Sequence, residues 1–250
     1  NQVIRCIGMC AINGFNFASE ELITRMNRRN AHRGPDGTGV FVEDGISLGH
    51  NRLSIIDLSD AARQPMESGD GRFVITFNGE IYNFKELKEQ LGDTYRFRSA
   101  SDTEVILAAF GRWGYDCPRH LNGIFAFAIW DKQQKELFLA RDHIGIKPFY
   151  YFWDSRRFIF SSEIKSILEH DIPRRIERDA ISHYFRLLYV PEPMTMFQGI
   201  YKLSPAHYAI LRGGALSIQR YWDIDNSKRF DGYKEQAGEG YLYVESKPSG

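Results

Sequence analysis

The chain has 250 residues, 32 basic and 32 acidic side chains and a formal net charge of zero. That length suffices for one large domain or two small ones with a substantial core. The balanced charge, with no run of one sign, argues against nucleic acid or anionic lipid as partners and favours a small neutral or zwitterionic ligand. The longest apolar runs, such as residues 123–130, are too short to span a bilayer, and the first residues lack the order of a signal peptide, so a cytoplasmic protein is expected.

Ser19, Glu20 and Glu21 precede the apolar Leu22, Ile23 and Met26, and Arg28 and Arg29 close the segment, which predicts an amphipathic helix over residues 19–30. Arg33-Gly34-Pro35-Asp36-Gly37 marks a loop. Strands are expected over residues 39–43, 46–50 and 52–57. Phe73-Val74-Ile75-Thr76-Phe77 is a β-branched and aromatic run, and the Asn78-Gly79 pair after it predicts a tight turn.

Asn83 is placed to cap a helix bearing Leu87 and Leu91, with Gly92 past its end. Ser101 and Glu104 match a capping box opening a helix that reaches Trp113. Further strands are expected over residues 124–131, 136–140, 149–153 and 158–161. In the first of these, Phe125, Phe127 and Ile129 share one face and Ala126, Ala128 and Trp130 the other, so both faces should be covered. A helix with Ile181, Tyr184, Phe185 and Leu188 follows Ile176, then Pro191-Glu192-Pro193 and a hairpin turning at Gly213-Gly214. Hairpin-linked strands framed by helical segments imply an α+β protein, two antiparallel sheets packed face to face with helices outside, an αββα four-layer sandwich. Residues 226–250 are polar and without apolar period, and read as a linker or tail.

Cys10 is the candidate nucleophile, although most lone cysteines are small core hydrophobes. Arg52, Asn78-Gly79-Glu80 and Asp102 add a cation for a carboxylate, donors for an oxyanion and an anion for an ammonium, the grips a free amino acid needs. Three cysteines in a chain of this size fit a reducing compartment rather than a disulfide framework. None of the seven histidines pairs with another at i, i+4, so no metal site is expected.

Six ordered blocks carry a resemblance: Met9-Cys10-Ala11-Ile12-Asn13-Gly14-Phe15, His32-Arg33-Gly34-Pro35-Asp36, Gly49-His50-Asn51-Arg52-Leu53-Ser54-Ile55, Phe77-Asn78-Gly79-Glu80-Ile81-Tyr82-Asn83, Ser101-Asp102-Thr103-Glu104, and Ala140-Arg141-Asp142 with Gly145-Ile146-Lys147-Pro148. Over residues 9–223 the chain resembles the glutaminase domain of glutamine-hydrolysing asparagine synthetases, a class II glutamine amidotransferase. The resemblance implies the N-terminal nucleophile hydrolase fold and hydrolysis of the side-chain amide of glutamine. It makes Cys10 the nucleophile and its own α-amine, freed by removal of residues 1–9, the general base. A thiol of pKa about 8.5 is mostly protonated at neutral pH, and an amine of pKa about 7.7 to 8.0 can take its proton. Asn78 and Gly79 would form the oxyanion hole, Arg52 would hold the α-carboxylate, and Asp102 with Gly79 and Glu80 the α-ammonium, with Leu53 and Ile55 also at the substrate. His32 would shape the pocket, and Arg141, Asp142 and Lys147 would form a structural ion-pair and turn motif.

The chain departs from that family in having Ala11 where glycine is usual, and in carrying residues ahead of the cysteine. A start at Met9, whose removal exposes Cys10, is the expectation. Residues 10–225 should be the glutaminase domain, with 191–225 leading toward a synthetase domain in cis or trans. Its Ser-Gly-Gly-x-Asp-Ser loop, which would bring ATP and Mg, does not occur in these 250 residues, so no cofactor is expected here. Alternatives are an inactive docking or regulatory module and an amidotransferase domain serving an acceptor other than aspartate; a homodimer is left open.

Overall fold

The computed structural model describes residues 9–53 and 62–225. In chain order the elements are β1 (Ala11–Phe15), α1 (Glu20–Arg29), β2 (Gly37–Glu43), β3 (Ile46–Arg52), β4 (Met66–Glu67), β5 (Phe73–Ile81), α2 (Phe84–Leu91) and α3 (Asp102–Trp113). They continue with α4 (Cys117–His120), β6 (Gly123–Asp131), β7 (Glu136–Arg141), β8 (Tyr150–Trp153), β9 (Phe158–Ser161) and α5 (Ile164–Ile167). The last are α6 (Arg178–Leu187), β10 (Ile200–Lys202), β11 (His207–Arg212) and β12 (Ala215–Arg220).

The strands form two six-stranded antiparallel sheets, ordered β10-β8-β9-β1-β3-β2 and β12-β11-β7-β6-β5-β4. Alternation along each strand sorts the apolar side chains into three buried layers. Phe15, Phe152 and Ile159 leave the first sheet to meet Ile23 and Met26 of α1 and Ile167 of α5. Ile12, Leu48 and Phe160 of the same sheet, with Phe149 just before β8, face Val74, Ala126, Ala128 and Leu139 of the second. On the far side of the second sheet, Phe77, Phe125, Phe127 and Ile129 pack on Leu87 and Leu91 of α2 and on α3. The αββα sandwich expected from the sequence is thus present, and β6 is covered on both faces by the two residue sets its pattern divides. Among the described residues no helix is long and apolar enough to cross a membrane.

Three local expectations need correction, and one strand was not expected. Asn78-Gly79 is not a turn: β5 runs through it to Ile81, pairing Asn78 with Ala126 and Gly79 with Phe125. The long partner strand supplies a ladder that outweighs the turn preference, and Gly79 is needed there for clearance, because a Cβ would lie 2.2 Å from the Ile124 carbonyl oxygen. The capping box is not closed: Ser101 Oγ accepts from Thr103 N–H, while Glu104 reaches past it to the backbone N–H groups of Arg98 and Ser99. No break separates residues 46–50 from a strand at 52; β3 is continuous through Arg52, held by pairing to β1 and β2, and residues 54–57 lie outside the described residues. β1 itself carried no strand expectation, because its five residues mix Asn13 and Gly14 with only three apolar side chains. At Gly213-Gly214, by contrast, both φ values are positive, as a two-residue hairpin turn requires.

Candidate active site

Pairing across the first sheet fixes the position of the cysteine. Ala11 lies opposite Asn51 in the β1–β3 ladder, so the next step of the register sets Cys10 beside Arg52 at one end of the sheet. Its sulfur accepts the Leu53 N–H at 3.3 Å and directs its own weak donor to the Leu53 carbonyl at 3.5 Å. Arg33 donates Nε to the Cys10 carbonyl at 3.1 Å and is held on its other side by Glu163, which also receives His32 and Lys165. The loop carrying Arg33 packs without a gap on β3. A Cβ at Gly34 would lie 2.4 Å from the Asn51 carbonyl carbon, and Asp36 N–H donates to the Arg52 carbonyl.

The second sheet brings its residues to the same end. Thr76 Oγ1 donates to the Gly49 carbonyl at 3.1 Å, and His50 Nε2 meets the Phe77 carbonyl at 3.0 Å, so β3 and β5 run side by side across the layer gap in step. The next residues of β5, Asn78 and Gly79, therefore lie toward the same end of the sandwich as Asn51, Arg52 and Cys10. Asn78 shares the Thr76 face, which looks into the gap between the sheets. Its Nδ2 is buried and, among the described residues, has no hydrogen-bond partner. Phe77 N–H is taken by Gln64 and Ile81 N–H by Asp102, both away from β6, and strand alternation turns the Gly79 N–H the same way. Two donors, one from a side chain and one from the backbone, thus leave the end of β5 uncommitted to the ladder.

Asp102 stands at the first turn of α3 and is fastened to the same strand end through the Ile81 N–H, 3.0 Å from Oδ2. Burial pushes its carboxyl up to about 6, against the pull of the Ile81 and Thr103 N–H groups. Glu80, exposed on the rim, adds negative charge toward Asp102. Burial likewise pushes the Cys10 thiol up, and the Leu53 backbone and the Lys147 ammonium pull it back; Asp102 raises it further and Arg33 lowers it. His50, fully buried, is held down to about 4 by desolvation. It is therefore neutral, with its proton assigned to Nε2 by the Phe77 carbonyl and Nδ1 left without a partner.

Cys10, Arg52, Leu53, Asn78, Gly79, Glu80 and Asp102 therefore gather at one end of the sandwich; Ile55 lies outside the described residues. His32 is exposed and engaged with Glu163, at one remove from the sulfur. Arg141 and Asp142 form the turn motif expected of them but not an ion pair with each other, since Arg141 pairs with Glu192. Arg141 donates to the carbonyls of Gly145, Lys147 and Leu203, and Asp142 accepts the N–H groups of Phe125, Ile144, Ile146 and Lys147. Lys147 is a correction, because its side chain makes no ion pair with that motif and instead stands near Cys10, contacting Met9 Sδ at 3.7 Å. Arg33 was likewise missed as a direct contact of Cys10. The two motif blocks that contain them were the available signal.

Residues 9–222 match the family described as "Glutamine amidotransferase domain". The chain is 38% identical over 259 residues to a protein of Methanocaldococcus jannaschii named putative asparagine synthetase [glutamine-hydrolyzing] 2, covering 93% of this chain and 50% of that one. It is 39% identical to asparagine synthetase [glutamine-hydrolyzing] 3 of Bacillus subtilis, covering 91% of this chain and 39% of that one. The chain therefore spans about half the length, or less, of these relatives. Among solved structures it superimposes on glutamine phosphoribosylpyrophosphate amidotransferase from B. subtilis with a TM-score of 0.62 at 19% identity, covering 85% of this chain and 49% of that one, a likeness of fold. The resemblance carried by the six sequence blocks is borne out: the chain belongs to the glutamine amidotransferase domain family.

Proposed function

We propose that this chain hydrolyses the side-chain amide of L-glutamine to glutamate and ammonia through a thioester on Cys10. The observation that carries the reading is the buried Nδ2 of Asn78, unpartnered among the described residues and at the same end of the sandwich as Cys10. The thiol proton passes to the α-amine of Cys10 once that amine is free, and the thiolate attacks the amide carbon. The oxyanion that forms is met by Asn78 Nδ2 and Gly79 N–H, donors already fixed before the charge appears. Collapse of the intermediate breaks the C–N bond; the leaving nitrogen takes the proton from the amine and departs as ammonia. Water then attacks the thioester, releasing glutamate and restoring the thiol. Arg52 would receive the α-carboxylate in a bidentate fork, and Asp102 with Glu80 the α-ammonium. Leu53 and Ile55 would complete the substrate wall.

The product ammonia would serve a synthetase-type domain, and the length of the relatives supports a partner of that kind. Glutamine hydrolysis by this domain would need neither ATP nor Mg, so EDTA should leave it unchanged. In a chain that keeps Met9, the Cys10 nitrogen is an amide and no base, which favours a second reading, a docking module without hydrolysis. Glutamate release from chains beginning at Cys10, compared with chains retaining Met9, decides between them. No release from either form refutes hydrolysis.

A further inference from the structure

We propose that Lys147 is a charge-setting residue for Cys10, its ammonium standing as the counter-ion of the thiolate; this rests on the reading of Cys10 as nucleophile. Lys147 is 8% exposed, yet among the described residues its Nζ has a single polar contact, the thioether sulfur of Met9 at 3.7 Å. A thioether is a weak acceptor, and an ammonium half withdrawn from water without an anion carries a desolvation cost. The surrounding charges do not supply that anion. Asp142 spends its carboxylate on four backbone N–H groups, including that of Lys147 itself. Glu80 is exposed on the rim and makes no ion pair with Lys147. Arg33, the other cation near the sulfur, is paired with Glu163. Asp102, facing Cys10 from α3, adds negative charge and opposes thiolate formation.

The backbone around Lys147 is built to hold it still. Its N–H is fixed by Asp142 at 2.9 Å and its carbonyl by Arg141 Nε at 2.8 Å, and both side chains are buried. The anchored backbone fixes where the stem begins, and the low exposure of the side chain limits where it can carry its charge. Burial depresses the Lys147 ammonium while charge on Cys10 raises it, so each group favours ionisation of the other.

The test is the pH dependence of iodoacetamide alkylation at Cys10, followed by mass spectrometry in wild type, K147M, K147Q and K147R. This readout needs no glutamine and is independent of whether the chain hydrolyses it. The alkylation midpoint should rise by about one pH unit in K147M and K147Q, a tenfold slower reaction below it, and stay near wild type in K147R. In chains beginning at Cys10, kcat for glutamine should fall about tenfold at pH 7 in K147M and recover toward pH 9, with KM unchanged. An unmoved midpoint in a folded K147M overturns the proposal; if K147M does not fold, the K147Q and K147R midpoints decide it in the same way. A shifted midpoint without glutamate release from wild type would leave Lys147 as assigned and refute hydrolysis.

Discussion

The two cysteines whose surroundings are described sit in opposite kinds of interior. Cys117 is fully buried in the apolar layer between the second sheet and α3, and its sulfur lies 4.0 Å from the Ile106 carbonyl. Burial alone acts on it, driving its thiol far above the ordinary range. Cys10 is half-buried, and a backbone N–H, two cations and a carboxylate are set around it. An apolar enclosure makes a thiol inert, whereas a ring of fixed polar groups leaves its ionisation adjustable. The position within the layers, rather than the residue type, separates the two.

The contrast can be broken most severely by removing one sulfur at a time. Cys10→Ala should lose glutamate release by about 10⁴-fold or more, read with coupled detection of glutamate, while the thermal midpoint holds. Activity near wild type would transfer the chemistry to Cys117 or to Cys6, which lies outside the described residues. Asn78→Ala sharpens the comparison next, because it leaves the sulfur and deletes the uncommitted donor at the end of β5. A fall in kcat of about 10²–10³-fold with little change in KM is expected.

Asp102 tests the polar ring by pH. Its folded carboxyl lies at about 6, above the unfolded value near 3.9. The stabilisation tied to its proton is therefore complete below about pH 4 and lost as pH rises through about 6. Asp102→Asn should gain up to about 3 kcal/mol on wild type between pH 4 and pH 7.5 in urea unfolding, and raise KM for glutamine at pH 7.5. Equal pH slopes in the two proteins would refute the raised carboxyl. The smallest effect belongs to the other cysteine: Cys117→Ala should cost about 1 kcal/mol of stability and leave glutamate release unchanged.

The layer pattern was legible because periodicity is local: β6 declared two apolar faces, and α1 announced its cap, its acidic start and its basic end within a dozen residues. Ser19 Oγ does accept from Leu22 N–H. The turn read at Asn78-Gly79 failed because pairing with a strand more than forty residues away decides it, and the same pairing turns those residues toward the site. The motif residues at the active-site end were legible through the family blocks, but their division of labour was not. Arg33 and Lys147 look alike in sequence, as basic residues next to Gly and Pro. Their difference, one cation paired with Glu163 and the other without an anion among the described residues, arises from contacts across 130 residues of chain in the first case and 138 in the second.

The Thr76 and His50 bridges tie together halves of the site that grow on separate sheets, Cys10 and Arg52 on one, Asn78 and Gly79 on the other. The distance from the sulfur to the Asn78 and Gly79 donors is therefore gauged by the thickness of the slab between them. The stacked rings of Phe149 and Phe160 help fill that slab. A filler side chain in the middle of the sandwich thus works as a calliper, and trimming it would change how far apart the jaws are held without touching either of them.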